Sequence, residues 1–201
     1  DKKKDKKKLS GTVFELKESD APKRPKRLEA DVIRFRNNKE EWIAVVGVMQ
    51  ERPYEVFTGK AEDMFRLPNY VNKGWVRKEF DEESNSNRYD FQFLDGDGYR
   101  VTIEGLSRSF NKEYWNYAKL ISGVLRHGMP LNYVVNLING LHVEGESINS
   151  WRRGVVRALK KFIPDGTKVV KTKCPNCEDP EGLIYKEGCL ICKSCGFSEC
   201  S

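Results

Sequence analysis

Histidine is nearly missing from this sequence, with two in 201 residues. The commonest general base is therefore confined to two positions. His127 stands at the expected C-terminus of a helix, where the dipole favours an imidazolium. His142 follows Gly140-Leu141 in a loop with no partner in view. No Ser/His/Asp set can be assembled from them. The sequence also lacks G-x-G-x-x-G, a P-loop and H-E-x-x-H, the short signatures of dinucleotide, nucleoside triphosphate and zinc-protease chemistry. No run of about 18 apolar residues exists, so no segment is expected to span a membrane. The lysine-rich start has no apolar stretch of the signal-peptide kind. Asp1 rather than Met opens the chain, which reads as a piece of a longer polypeptide or a processed chain.

Acidic and basic residues are both plentiful, but the net charge of +6 is concentrated at one end. Residues 1–27 hold eleven Lys/Arg against five Asp/Glu, and the remainder balances at 25 of each. The opening DKKKDKKK cannot bury anything and is expected to be disordered. Residues 1–27 as a whole read as a basic linker, with Val13–Leu16 a short docking strand and 22–27 an extended connector imposed by Pro22 and Pro25. A balanced domain after the linker argues against broad nucleic-acid binding. The hydrophobic share of 38% and charged share of 33% suit a medium domain with a modest core and a small appendage.

Six cysteines are present, and all lie in the last 28 residues. Cys174-Pro175-Asn176-Cys177 and Cys192-Lys193-Ser194-Cys195 are two C-x2-C knuckles separated by fourteen residues. That spacing reads as a tetrahedral zinc site. Two intervening residues let one tight turn aim both sulfurs at one ion, and the loop between the knuckles folds back as a hairpin. Four thiolates on Zn²⁺ leave a charge of −2, which Lys171, Lys173, Lys186 and Lys193 offset. So short a segment has too little apolar surface to fold without its metal. Cys189 and Cys200 are then spare. Cys189-Leu190-Ile191-Cys192 is itself a C-x2-C, so spacing leaves Cys189 open as an alternative ligand. The two spare thiols are either inert or a mobile dithiol that exchanges with another disulfide. Clustering in a metal pattern, rather than a disulfide framework, points to a reducing, cytoplasmic compartment.

Between linker and knuckles the pattern changes once, from strand to helix. Val32 to Phe35, Glu41–Met49, Tyr54–Thr58, a stretch from Gly74, Tyr89–Leu94 and Tyr99–Ile103 read as strands. Glu41–Met49 is apolar enough to be buried on both faces. Asn37-Asn38-Lys39 and Asp95-Gly96-Asp97-Gly98 are turns; the second lacks the remaining ligands of a calcium loop. Helical spacing follows from Asn111 to Gly128 and from Leu131 to Gly140. A third helix is expected from about Ser147 to Phe162, capped by Ser147 or Asn149. Its apolar side is Trp151, Val155, Ala158, Leu159 and Phe162. Arg152, Arg153, Arg157, Lys160 and Lys161 form a solvated face. The fold class expected is α+β: an antiparallel sheet of hairpins, a three-helix segment and a small C-terminal zinc ribbon. The segments are a 1–27 linker, a 28–166 domain and a 167–201 cysteine-rich tail.

Several stretches together resemble one family. They are Glu104-Gly105-Leu106-Ser107, the run from Lys112 to Leu131 (KEYWNYAKLISGVLRHGMPL), Ser147-Ile148 with the ALKK helix, and Thr172-Lys173-Cys174-Pro175-Asn176. The Glu187–Gly196 block adds E-G-C-x-x-C-x-x-C-G. The resemblance is to the C-terminal region of adenosylcobalamin-dependent (class II) ribonucleotide reductases, over about residues 22–201. That region carries a domain named for a Thr-Ser-Cys-Pro-Asp motif, the TSCPD domain; here Lys173 and Asn176 replace its Ser and Asp. The resemblance implies an enzyme that reduces ribonucleotides to deoxyribonucleotides by radical chemistry. Its cobalamin site and radical cysteine sit in a barrel absent from this chain. It further implies that a tail like this one re-reduces the barrel's disulfide and is itself reduced by a thioredoxin-like protein. On that reading Cys174, Cys177, Cys192 and Cys195 hold zinc, and Cys189 and Cys200 form the thiol–disulfide shuttle. The partners are the barrel and the reductant, and there is no membrane partner. Two other readings compete: a nucleic-acid-binding zinc ribbon using the N-terminal arm and the Arg152–Lys161 helix, and a structural lid or homodimer contact with inert cysteines.

Overall fold

The computed structural model describes residues 18–61, 67–106, 111–142 and 150–200. Six strands come first: β1 (Arg27–Asn37), β2 (Glu40–Met49), β3 (Arg52–Lys60), β4 (Lys73–Asp81), β5 (Ser86–Leu94) and β6 (Arg100–Ile103). They form one antiparallel sheet in the order β3-β2-β1-β4-β5-β6. Three helices follow: α1 (Lys112–Arg126), α2 (Leu131–Asn139) and α3 (Trp151–Lys160). A second, three-stranded sheet ends the chain: β7 (Leu183–Lys186), β8 (Cys189–Cys192) and β9 (Ser198–Glu199). This is the α+β arrangement that the change of period announces. No helix among the described residues is long and apolar enough to cross a membrane. The expected strand at Val13–Leu16 lies outside the described residues, as do the proposed caps Ser147 and Asn149.

Strand β2 lies inside the sheet and is covered on both sides, so alternate residues serve two cores. Trp42, Ala44 and Val46 face the helices with Ile33, Phe35 and Val56. Ile43 and Val45 face the opposite way with Ala30, Val32, Phe57, Val76 and Phe91. The sheet is strongly curled. The Phe57 ring of β3 and the Tyr89 ring of β5 are 5.2 Å apart, although three strands separate them in the hydrogen-bonded order. Helix α1 lies along the exposed edge of β3. Ser122 Oγ accepts a hydrogen bond from the Val56 N–H at 3.0 Å and donates to the Ala118 carbonyl of its own helix at 2.7 Å. Trp115 of the same helix reaches the second core, 5.6 Å from the Phe57 ring.

Helix α3 begins later than periodicity suggests. Ser150 is its N-cap, its side chain accepting from the Arg153 N–H. Trp151 is fixed at its first residue from two directions. Its N–H donates to Asn37 Oδ1 at 2.9 Å and its indole Nε1 donates to Thr58 Oγ1 at 2.8 Å. Gly154 allows the helix to lie on β1, since a Cβ there would come within 2.0 Å of the Phe35 ring. The expected solvated face needs two corrections. Lys160 is buried, only 7% exposed, and burial holds its ammonium below the usual lysine range. Arg152 donates to the carbonyls of Asn139 and Leu141, tying α3 to the end of α2.

The described end of the basic linker, residues 18–26, has no regular secondary structure but lies against the sheet. Arg24 grips the fully buried Glu55 with two bonds, Nη2 to Oε1 at 2.6 Å and Nε to Oε2 at 2.9 Å. Arg126 of α1 approaches the same carboxylate at 3.3 Å. Tyr54 Oη donates to the Pro22 carbonyl, and His127 Nδ1 lies 2.6 Å from the Ser19 carbonyl. Since a carbonyl only accepts, this His127 nitrogen carries the proton.

Removing one partner from a buried ion pair leaves the other charge uncompensated, at about 3–5 kcal/mol. Glu55→Ala strands Arg24, which is also buried, and is expected to destabilise the protein by an amount in that range. The shift of the urea midpoint, with the slope unchanged, measures it.

Candidate metal centre and disulfide

The C-terminal sheet is held together by two knuckles and a hairpin. After α3 the chain turns at Pro164–Gly166 and runs beside β7. Gly166 N–H donates to the Tyr185 carbonyl, Tyr185 N–H to the Thr167 carbonyl, and Val169 N–H to the Leu183 carbonyl. In the first knuckle the Glu178 N–H donates to the Cys174 carbonyl, and the Asn176 N–H points at Cys174 Sγ at 3.4 Å. The second knuckle repeats the device, Gly196 N–H donating to the Cys192 carbonyl, with Gly196 at positive φ. Lys193 N–H donates to the Gly182 carbonyl, so the second knuckle is braced on the turn that enters β7.

The four knuckle sulfurs converge. All lie within 4.8 Å of one another, with Cys174 and Cys192 buried and Cys177 and Cys195 exposed. Cys174 Sγ is 3.6 Å from Cys195 Sγ, and Cys177 Sγ is 3.7 Å from Cys192 Sγ. Four sulfurs at about 2.3 Å from a tetrahedral ion stand about 3.8 Å apart, so the spacing suits such an ion. Gly182 completes the cradle: a Cβ on it would come within 2.8 Å of both Cys192 Sγ and Asp179 Oδ2. Asp179 in turn accepts from the Ser194 hydroxyl and the Glu181 N–H, and the Ser194 bond holds its carboxyl below the ordinary range. The four cysteines can therefore hold a metal ion, and an all-thiolate set favours borderline-soft cations. Without an ion the thiols cannot all ionise together. The Asn176 side chain draws the Cys195 thiol down to about 6. At Cys177 the Asp179 N–H acts to lower the pKa, but desolvation and the three neighbouring sulfurs outweigh it and push the thiol up to about 12.

The remaining two cysteines are elsewhere on the same hairpin. Cys189 opens β8 opposite Lys186, and Cys200 follows β9. They form a disulfide with Cα atoms 4.4 Å apart. Cys189 and Cys192 are three residues apart on one strand, and side chains alternate, so the disulfide and the four-sulfur cluster occupy opposite faces of β8. Cys189 is half-buried and Cys200 exposed. His142 is exposed, and His127 serves as the C-cap of α1; neither lies with the sulfurs.

The ribbon is seated on the helices rather than hung from them. Tyr185 is 2% exposed and belongs to the same core as Trp151, Leu159 and Val134, with Val169 and Leu190 packed beside it. Burial pushes its phenol above the ordinary tyrosine range. Asn132 Nδ2 of α2 donates to the Lys168 carbonyl, and Asp165 Oδ1 accepts from the Glu187 N–H.

A family model described as "NrdJ homologue C-terminal domain" matches residues 28–164. The chain belongs to this family. Its relation is thus to NrdJ-type ribonucleotide reductases. The match covers the curled sheet and the three helices and stops before the first knuckle, so it speaks for the domain that carries the ribbon. No curated protein and no solved structure matches the chain. Sequence reasoning found the six thiols of this NrdJ-related chain but missed the groups that frame them. Asp179 and Gly182 gave no signal because their role depends on the fold of the hairpin. Glu55 did give one: it stands in phase with Phe57 on a strand whose inward positions are apolar.

Elemental analysis of purified protein is expected to give one ion per chain. Cys192→Ser should abolish binding and leave the ribbon open to protease, while Cys189→Ser should retain the full metal content. Gly182→Ala should weaken binding, measured by competition with a chromogenic chelator.

Proposed function

We propose that the chain is the C-terminal module of a vitamin B12-dependent ribonucleoside-diphosphate reductase, and that it carries reducing equivalents to the enzyme's catalytic barrel. The observation that carries the reading is the Cys189–Cys200 disulfide, set apart from the four converging sulfurs. The division of labour is four thiolates on a structural zinc and two thiols for exchange. The functional units are a 28–166 domain of the TSCPD type and a 167–201 redox tail, working in the cytoplasm. The cobalamin belongs to the barrel, outside this chain, and no step assigned to these residues passes through it.

In the reduced tail the Cys200 thiolate, being the exposed sulfur, attacks one sulfur of the barrel disulfide. A mixed disulfide forms and one barrel thiolate leaves. The Cys189 thiolate then attacks Cys200 Sγ, closing the Cys189–Cys200 bond and releasing the second barrel sulfur. Two electrons pass to the barrel, its two sulfurs end as thiols, and the tail ends as the disulfide. A thioredoxin-like dithiol reverses the tail by the same chemistry. Reach is favoured by how little holds the last strand: β9 is two residues long, Ser198 opposite Ile191 and Glu199 opposite Leu190. Cys192, on the opposite face of β8, would anchor the strand to a bound zinc together with Cys174, Cys177 and Cys195 while β9 departs.

The geometry gives less support to a nucleic-acid role. The α3 face that would follow phosphates has Lys160 buried and Arg152 committed to two carbonyls.

The test uses the full-length reductase. Cys189→Ser and Cys200→Ser should each permit one round of product formation per active site from pre-reduced enzyme and stop thioredoxin-driven turnover. A small dithiol that reaches the barrel directly should restore it. Normal thioredoxin-driven turnover by both variants would falsify the relay.

A further inference from the structure

We infer that the cavity between α1 and the β4–β5 turn binds a planar aromatic phosphate of mononucleotide size, its ring against Tyr89 and Trp115 and its phosphate at Arg126 and Lys119. This stands independently of the relay, since none of the six cysteines lines the cavity. The cavity lies at the seam where the curled sheet fails to close on itself. Helix α1 fills the gap between β3 and β5, and beside it a volume of about 560 Å³ is left open. Small-molecule sites typically span about 300–1,000 Å³ and favour such mouths.

Three features of the lining select the ligand. First, the aromatic wall is not sealed. Tyr89 and Trp115 are half-buried, with ring centroids 6.5 Å apart, and both line the opening. A planar ring can stack there, and such stacking tolerates different heterocycles. Second, the charge at the opening is positive. Arg126 and Lys119 line it, and no Asp or Glu does. The nearby Glu55 is held at both oxygens by Arg24 and shares Oε2 with Arg126 Nη2 at 3.3 Å, so two guanidinium groups stand against one carboxylate and the excess charge is positive. The Arg126 Nε is buried without a hydrogen-bond partner. An anion at this end would meet the Arg126 guanidinium and the exposed Lys119 ammonium. Third, the β4–β5 turn and the start of β5 line the cavity too, where Asn85 and Asn87 are exposed and carry carboxamides. Each offers both donor and acceptor, the combination that reads the edge of a nitrogen heterocycle.

The full chain is titrated with adenosine monophosphate and p-nitrophenyl phosphate, following Trp fluorescence and heat, with adenosine and inorganic phosphate as separate arms. Both aromatic phosphates are expected to saturate at one per chain and to weaken as salt is raised. Adenosine and inorganic phosphate should each bind at least about tenfold more weakly, because each lacks one half of the contacts. Lys119→Glu alters an exposed residue, so its circular dichroism should match the parent while affinity falls about tenfold or more. Trp115→Leu should weaken the aromatic phosphates and leave inorganic phosphate unchanged. The inference is overturned if neither aromatic phosphate saturates, if inorganic phosphate binds as tightly as they do, or if Lys119→Glu binds normally. A single-stranded decanucleotide that binds far more tightly than the monophosphate would also overturn it, in favour of a strand-binding channel.

Discussion

One hydroxyl group governs how this sheet is finished. The edge of β3 presents backbone groups that would otherwise pair with water or another chain. Ser122 accepts the Val56 N–H and places α1 against that edge. Because α1 is held there, its two sides divide the molecule. Ala118, Ile121 and Leu125 complete the helix-side core, while Trp115 crosses the seam to the aromatic residues of the other face. The curl of the sheet, the seat of α2 and α3 and the open cavity all depend on this placement. Pro53 is consistent with it, since proline is tolerated on an edge strand where no ladder donor is needed.

The C-terminal ribbon obeys a different physics from the domain beneath it. The domain is stabilised by burial on two faces of one sheet. The ribbon has a buried trio of Leu183, Cys174 and Cys192, with Val169 and Phe197 packed against it. That is too small a core for independent stability, so sulfur chemistry and docking make up the difference. Two kinds of sulfur linkage act on one short strand. The four-cysteine cluster fixes the inner end of β8, and the disulfide ties its outer end to the terminus. Strand alternation keeps the two on opposite faces of β8.

Much of this was legible in the residues, for identifiable reasons. From Trp42 to Met49 the β2 segment is apolar without interruption because it is covered on both sides, and that pattern survives any detail of topology. The two knuckles are legible because cysteines that can share one metal ion keep a local spacing that owes nothing to the rest of the fold. Three things were not. The start of α3 is set by Ser150 and by Asn37, a partner 114 residues away that no local pattern reveals. Lys160 follows the charged periodicity of its helix, yet packing buries it. Arg24 sits in a proline-rich, basic stretch of solvent-exposed appearance, and its burial depends on Glu55 from a strand that lies beside it only after folding. In each case a distant contact overrides a local preference.

The seating of Tyr185 in the helix-side core has a consequence for metal economy. A side chain from the ribbon completes the packing of Trp151 and Leu159, so the free energy of any metal bound at the four-cysteine cluster would be shared with the domain rather than confined to the tail. A disturbance of the cluster would thereby reach the α2–α3 layer, which the Tyr185 ring covers.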